Sequence, residues 1–354
     1  MCVFEMPEFD RHEEVLFHHD LATGLSAIIA IHSTVLGPAA GGCRMWPYAS
    51  STEAVTDVLR LSRGMSYKNA MAGLAFGGGK AVIIADPKRP KSGELFEAYG
   101  RFVNSLGGRY ITAEDVGTTT ADMQSVASQT RYVSGLDRRV GDVGGDPAPK
   151  TALGVYLGIK AAAKFRLGRS DLENVAIAIQ GAGGVGYHLC RLLAADRARL
   201  LVADVRAAAV QRVVDEFGAK AVAADQLLRQ DVEIFAPCAL GAILNAQTLP
   251  HLKAKVVAGA ANNQLARDSD GLTLHAAGVL YAPDYVINAG GIINVFHEYH
   301  GGATDGQVSA AIEAIPARLT EIFERSRREN RPTNVVADQL ARARIEMGGR
   351  RLVA

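Results

Sequence analysis

Two domains of α/β type are predicted for this chain, and three observations carry the prediction. Short, β-rich apolar runs alternate along its length with segments of helical periodicity, the pattern of stacked strand–helix units. At 354 residues, 48% hydrophobic and 21% charged, the chain has material for two cores rather than one. A Gly- and Pro-rich stretch, VGGDPAPKT at 143–151, divides the series of runs. The first domain is therefore set at 1–142 and the second at 143–324, with C-terminal helices from about 325 to 354 packing back on the first.

In the first half, LSAIIAIH (25–32), KAVIIAD (80–86) and RYITAED (109–115) read as strands. A helix over 51–66 starts at the capping signal Ser50-Ser51-Thr52-Glu53, and another spans 92–106. The second half opens with a helix over 152–165. Strands follow at 174–181, 199–204, 233–238, 255–262 and 278–284, and helices at 184–195, 207–217 and 242–250. These strand runs are apolar without alternation, as expected of parallel strands buried on both faces. The segments 307–328 and 333–347 read as amphipathic helices.

Charge and cysteine content narrow the function classes. A net charge of +1 gives no field for nucleic acid or anionic lipid. The N-terminal MCVFEMPEFDRHEEV lacks a basic-then-apolar leader, and no apolar run reaches membrane-spanning length. Four cysteines (Cys2, Cys43, Cys190, Cys238) stand far apart, without a CxxC pair. A cytoplasmic protein is expected, without nucleic-acid or membrane partners.

AIAIQGAGGVGYHLC places Gly181-x-Gly183-x-x-Gly186 between a predicted strand and a predicted helix, with Gly184 and Val185 inside the turn. The first glycine permits a tight turn and the second lets backbone approach a pyrophosphate. The third lets helix and strand pack closely, and the helix N-terminus offers N–H donors. This is the signature of a Rossmann-type dinucleotide site. Asp204, closing the next strand, would accept from adenosine ribose hydroxyls and repel a 2′-phosphate, so the expected cofactor is NAD; Arg206, two residues on, weakens that preference.

GMSYKNAMAGLAFGGGK (64–80) sets Lys68 and Lys80 among glycine and apolar residues. An ammonium inside a protein, close to a second one, gives up its proton more readily than at the surface. A lysine so placed can serve as a base while its neighbour faces a substrate anion, and Asp115 can balance charge and pass protons. From residue types alone, two snorkelling lysines and a capping aspartate fit equally well.

The blocks LGPAAGGCRMWPY (36–48), LSRGMSYKNAMAGLAFGGGKAVI (61–83), RYITAEDVGT (109–118), VVAGAANNQL (256–265) and YAPDYVINAGG (281–291) span nearly the whole chain. In this order they resemble the amino-acid dehydrogenase family that contains glutamate, leucine, valine and phenylalanine dehydrogenases, its leucine branch nearest and its phenylalanine branch next. The resemblance implies a catalytic and assembly domain beside an NAD domain, a cleft between them, and a homo-oligomer. It implies reversible NAD-dependent oxidative deamination of an L-amino acid to a 2-oxo acid and ammonia. Lys68 matches the lysine that holds the substrate carboxylate, Lys80 the catalytic lysine, and Asp115 the aspartate that exchanges protons with the amino group. Thr151 matches the contact to the nicotinamide carboxamide. Asn262 and Asn263 match asparagines that reach the nicotinamide ribose and the substrate.

Around the substrate side chain the resemblance sets Ala40, Gly41, Met65, Ala113, Ser134, Ile292 and Val295. Ala40 stands where glutamate-acting members carry a lysine, and a buried carboxylate without a counter-charge is costly, so an apolar substrate is expected. Branched-chain amino acids are the leading expectation, with Ile292 and Phe296 bulkier than their usual counterparts. The small Ala40 keeps an aromatic substrate, phenylalanine or tryptophan, as the alternative. A catalytically silent nucleotide-binding relative would have no use for two buried cations. HEYH (297–300) sets His297 and His300 one helical turn apart, but without a third ligand it reads as an exposed helix face, and no metal is expected.

Overall fold

The computed structural model describes residues 2–136, 143–239 and 241–353, the side chains of 350–353 excepted. The chain forms two compact units, one of Met1–Gly145, Val295–Thr304 and Ala341–Ala354, the other of Asp146–Asn294 and Asp305–Leu340. The expected end of the first domain at 142 falls among 137–142, outside the described residues. The return to the first unit differs from expectation: it is made by 295–304 and by the chain from 341, while 305–340 stay with the second unit.

In the first unit the strands are β1 (Glu14–Asp20), β2 (Leu25–Ser33), β3 (Ala39–Ala40), β4 (Cys43–Trp46), β5 (Gly77–Ile84) and β6 (Tyr110–Ile111). They pair in the order β1-β2-β5-β3-β6, with β4 also on β5. The helices are α1 (Ser51–Ala72), α2 (Gly93–Ser105) and α3 (Thr120–Ala127). Strand β2 explains its own lack of alternation. Leu25, Ala27, Ile29 and Ile31 meet Phe96, Tyr99 and Phe102 of α2 and Met123 and Val126 of α3. Ile28 and Ala30 meet Ala54, Val55, Val58 and Leu59 of α1 on the other face. Burying each such aliphatic side chain contributes about 1.5–3 kcal/mol.

Helix α1 starts as read, with the Ser50 side chain accepting from Glu53 N–H at 3.1 Å. It runs on past the expected stop at 66, to Gly73 in the left-handed conformation (φ 70°). The strand expected over 109–115 has only the β6 ladder, continued by single bridges of Thr112 to Val133 and Glu114 to Cys43. The edge strand β1 was not foreseen: it is half-buried and mixes polar and apolar residues, which blurs a period of two.

In the second unit all strand pairs are parallel: β7 (Ala176–Gln180), β8 (Arg199–Ala203), β9 (Lys220–Ala221), β10 (Ile234–Pro237), β11 (Val256–Val257) and β12 (Leu280–Tyr281). Their order, β12-β11-β10-β7-β8-β9, reverses direction between β7 and β10, the doubly wound arrangement whose ligand crevice lies at the carboxyl ends of those strands. The helices are α4 (Ala148–Leu167), α5 (Gly184–Ala195), α6 (Ala207–Phe217), α7 (Asp270–Ala276), α8 (Asp284–Ile287), α9 (Gly290–His300), α10 (Asp305–Ile312), α11 (Ile315–Glu329) and α12 (Thr333–Val353). α5 and α6 coincide with the expected helices, while α9 passes from the second unit into the first between Asn294 and Val295, and α12 between Leu340 and Ala341.

Two expected helices differ. No helix forms over 242–250 apart from a single turn at Leu249–His251. There Asn245 accepts from Gln247 and Thr248 N–H while its amide bonds Ala242 O, so an Asx turn wins. The segment 307–328 is broken into α10 and α11, with Pro316 in the first turn of α11, where its missing N–H is tolerated.

Three close approaches lock β5. A Cβ on Gly78 would overlap Ser66 of α1, and one on Gly41 would overlap the carbonyl oxygen of Gly79. A Cβ on Gly79 would lie 2.7 Å from the Tyr110 ring and 3.1 Å from Ala39 Cβ. Gly79→Ala is therefore expected to destabilise the protein by about 1–3 kcal/mol through overpacking between strands. The check is the urea midpoint of the first transition, and an unchanged midpoint would mean that β5 has room to move.

Candidate functional site

Strand alternation decides which side chains meet at β5. Ala81 and Ile83 enter the core beneath α2, and Val82 the core beneath α1. Lys80 shares the parity of Gly78 and Val82, so it lies on the α1 face. In β4, Cys43 and Met45 enter the α2 core, which turns Arg44 to the α1 face too. The lysine is 6% exposed.

Asp115 closes the constellation. Its Oδ2 lies 2.8 Å from Lys80 Nζ and 3.3 Å from Arg44 Nε. The Arg44 guanidinium also reaches Asp57 of α1, with Nη1 2.9 Å from Oδ2, and the Tyr48 hydroxyl donates to the same oxygen at 2.6 Å. Burial pushes the Asp115 carboxyl up, but Lys80 and Arg44 outweigh it and hold the group at about 2. For Tyr48, burial and the Asp57 carboxylate together drive the phenol far above its ordinary value.

Lys68 is half-buried on α1, the helix that covers this face. The Lys80 ammonium meets a carboxylate that a guanidinium shares. Arg44 was missed as a functional candidate, although it sits in the GGCRMW block; its signal was a charged residue flanked by the core residues Cys43 and Met45.

The remaining first-unit candidates lie around the same strands. Gly41 N–H donates to Ile111 O, and its carbonyl accepts from the buried Tyr110 hydroxyl at 2.5 Å. A Cβ on Gly41 would lie 3.0 Å from Met65 Cγ. Ala40 is buried on β3, in register with Gly78 of β5 and Ile111 of β6. Ala113 is half-buried and its carbonyl receives Cys43 N–H. Ser134 is buried, in the segment whose next two N–H groups, Gly135 and Leu136, donate to Glu298 Oε1 at 2.7 and 3.1 Å. HEYH is helical, but Glu298 turns inward onto this loop and His300 bonds Phe296 O. Val295 is half-buried on α9 in the same unit.

In the second unit the glycine loop ends β7 and opens α5. Gly181 has φ 101°, and a Cβ on Gly186 would overlap the Gly181 carbonyl oxygen, so both positions require glycine. Gly183 precedes the first turn of α5 in extended conformation, Gly184 is exposed and Val185 half-buried. Asp204, directly after β8, folds back on the loop. One oxygen accepts Ala182 N–H at 2.7 Å; the other accepts Arg206 N–H at 2.8 Å and lies 3.4 Å from its Nε. A side-chain-free cradle at a helix N-terminus with an acid beside it fits a dinucleotide.

Thr151 donates to Pro147 O in the first turn of α4 and faces Gly291. The Asn262 side chain accepts from Asn288 at 2.8 Å, and Asn263 has φ 51°. Both asparagines are exposed, and Ile292 is half-buried on α9.

The family model of the Glu/Leu/Phe/Val dehydrogenase dimerisation domain matches residues 12–132, and that of glutamate/leucine/phenylalanine/valine dehydrogenase matches 200–331. Leucine dehydrogenase of Geobacillus stearothermophilus is 52% identical over 346 residues, covering 98% of this chain and 94% of its own. Valine dehydrogenase of Streptomyces albus is 49% identical over 337 residues, covering 94% and 92%. The crystal structure of L-tryptophan dehydrogenase from Nostoc punctiforme superposes with a TM-score of 0.83 at 45% identity, covering 96% and 97%. The chain belongs to the Glu/Leu/Phe/Val family of amino-acid dehydrogenases.

Proposed function

We propose that this protein catalyses the reversible NAD-dependent oxidative deamination of branched-chain L-amino acids, leucine and valine above all, to the 2-oxo acid and ammonia. The observation that carries the reading is the buried 2.8 Å contact of Lys80 with Asp115, in a chain about half identical to leucine and valine dehydrogenases over nearly its full length. In this reading the first unit is the catalytic and assembly domain and the second binds NAD. The chain associates with copies of itself through the first unit, where the dimerisation-domain match lies. The separated, free cysteines fit a cytoplasmic enzyme.

Gly181, Gly183, Gly184, Val185 and Gly186 would hold the cofactor pyrophosphate, Asp204 the adenosine ribose, and Thr151 and Asn262 the nicotinamide end. A nicotinamide bound there would supply the acceptor for the hydride of the substrate Cα. Lys68 binds the substrate carboxylate as its counter-ion. Asp115, held ionised, takes a proton from the substrate ammonium so that the amine can form an imine. Lys80, once deprotonated, removes a proton from the water that attacks the imine carbon, and Asp115 returns a proton to the departing ammonia. Asn263 contributes to holding the substrate.

Ala40, Gly41, Met65, Ala113, Ser134, Ile292 and Val295 shape the side-chain slot. Ala40 offers no charge to a side-chain carboxylate, which disfavours glutamate. The 45% identity to a tryptophan dehydrogenase, together with the small Ala40, favours an aromatic substrate as the second reading.

Reduction of NAD at alkaline pH across L-amino acids should give the highest kcat/KM for leucine and valine, with glutamate inactive; a higher value for phenylalanine or tryptophan would move the assignment to the aromatic reading. Ala40→Lys should confer measurable glutamate turnover, because a carboxylate entering there gains a charge-assisted partner. Lys80→Ala should lower kcat about 10²–10⁴-fold, the usual worth of a general base, with NAD binding by fluorescence retained.

The Asp115 carboxyl, held near 2 against an ordinary 3.8, contributes stability that is present above pH 4 and lost as pH falls through 2. Asp115→Asn should therefore cost about 3–5 kcal/mol near pH 7, as breaking a buried pair does, and much less near pH 2. Denaturant titrations at the two pH values measure the difference.

A further inference from the structure

Arg44 makes two contacts that the roles assigned above leave unused. Its guanidinium lies edge-on between two carboxylates, Nε 3.3 Å from Asp115 and Nη1 2.9 Å from Asp57, and Tyr48 fixes Asp57 from its far side at 2.6 Å. A planar fork serves two acids at once, which a lysine ammonium at the same position cannot do with this geometry. The side chain is only 21% exposed, so its charge is weakly screened.

We propose that Arg44 is a positioning residue of the reaction: braced by Asp57, it holds the Asp115 carboxylate on Lys80 and, while Lys80 is without its proton, keeps Asp115 ionised until it takes the proton of the substrate ammonium. The proposal rests on the reading that Lys80 and Asp115 exchange protons during turnover. When Lys80 acts as a base it passes through a neutral amine, and at that moment Asp115 loses its nearest cation inside the protein. A guanidinium does not deprotonate in a protein, so Arg44 supplies a positive charge beside Asp115 that persists when Lys80 has lost its own. The groups around Asp115 are Lys80 on β5, Arg44 and the Cys43 thiol on β4, and the Tyr48 and Tyr110 phenols, with Asp57 of α1 behind Arg44. The thiol and phenols are held far toward their neutral forms by burial, which leaves Arg44 as the fixed charge among them.

The test compares Arg44→Met, Arg44→Lys and Asp115→Asn in the full-length enzyme, with kcat, KM for leucine and the pH profile of kcat/KM. In Arg44→Met, kcat should fall at least tenfold with KM changed less than threefold. Removing a cation beside the pair should move the profile to higher pH by at least half a unit. Arg44→Lys should restore the position of the profile while recovering kcat only in part. A wild-type kcat or a wild-type profile in Arg44→Met, with Asp115→Asn inactive, overturns the proposal and leaves the functional reading standing. An active Asp115→Asn overturns both. Should Arg44→Met not fold, Asp57→Asn carries the test, because loss of the brace must lower kcat at constant KM; an unaltered kcat there overturns the proposal.

Discussion

Everything at the first-unit site depends on how closely backbone is allowed to approach at Gly77–Gly79. Ser66 of α1, the Tyr110 ring and the Gly79 carbonyl occupy the volumes that side chains on β5 or on the loop after β3 would need. With those volumes filled, β5 is gripped on both faces and Lys80 follows directly from a strand that cannot shift. The Asn69 amide adds a 2.6 Å donation to Gly77 O, and the Tyr110 hydroxyl fixes the Gly41 carbonyl. Orientation of one lysine is therefore set by backbone packing together with its ion pair to Asp115.

The same framework explains which parts of the molecule were legible in the sequence. Elements buried on both faces, such as β2, β7 and β8, announce themselves as unbroken apolar runs, and α5 and α6 are bounded by their glycine and turn signals. Strand β1 was not legible, because an edge strand half open to solvent tolerates Phe17 and His18 side by side. The helix expected over 242–250 failed to form because Asn245 and Thr248 satisfy the local backbone themselves, a competition that apolar periodicity does not register. At the site, the lysines, Asp115 and the glycine loop stood out by spacing and resemblance. Arg44 did not, since nothing in GGCRMW reveals that strand pairing will carry it to Asp115, 71 residues further along the chain.

The glycine loop of the second unit solves a related problem by different means. Gly181 uses a backbone conformation with positive φ, and Gly186 provides a close approach of helix to strand. Asp204 ties the loop down through Ala182 N–H while also taking Arg206. One carboxylate thus ties the loop to the turn after β8. A residue read from sequence as a selector of cofactor is in the fold a structural tie, with both carboxylate oxygens engaged.

The charged cluster is, by contrast, a burden on the fold that carries it. Desolvating Lys80, Arg44 and Asp115 costs several kcal/mol per ion, and well-packed apolar residues of similar volume often stabilise as much or more. The two cores that flank the first sheet already hold β2 and β5 through aliphatic and aromatic contacts, without any help from these charges. What the cluster adds is fixed geometry and a defined protonation state: Asp115 ionised, Lys80 beside it, and Arg44 locked between two acids. In the proposed reaction those properties serve the movement of protons. The glycine and tyrosine packing around β5 is then best understood as the rigid support that lets an unfavourable group of charges sit inside the protein without rearranging.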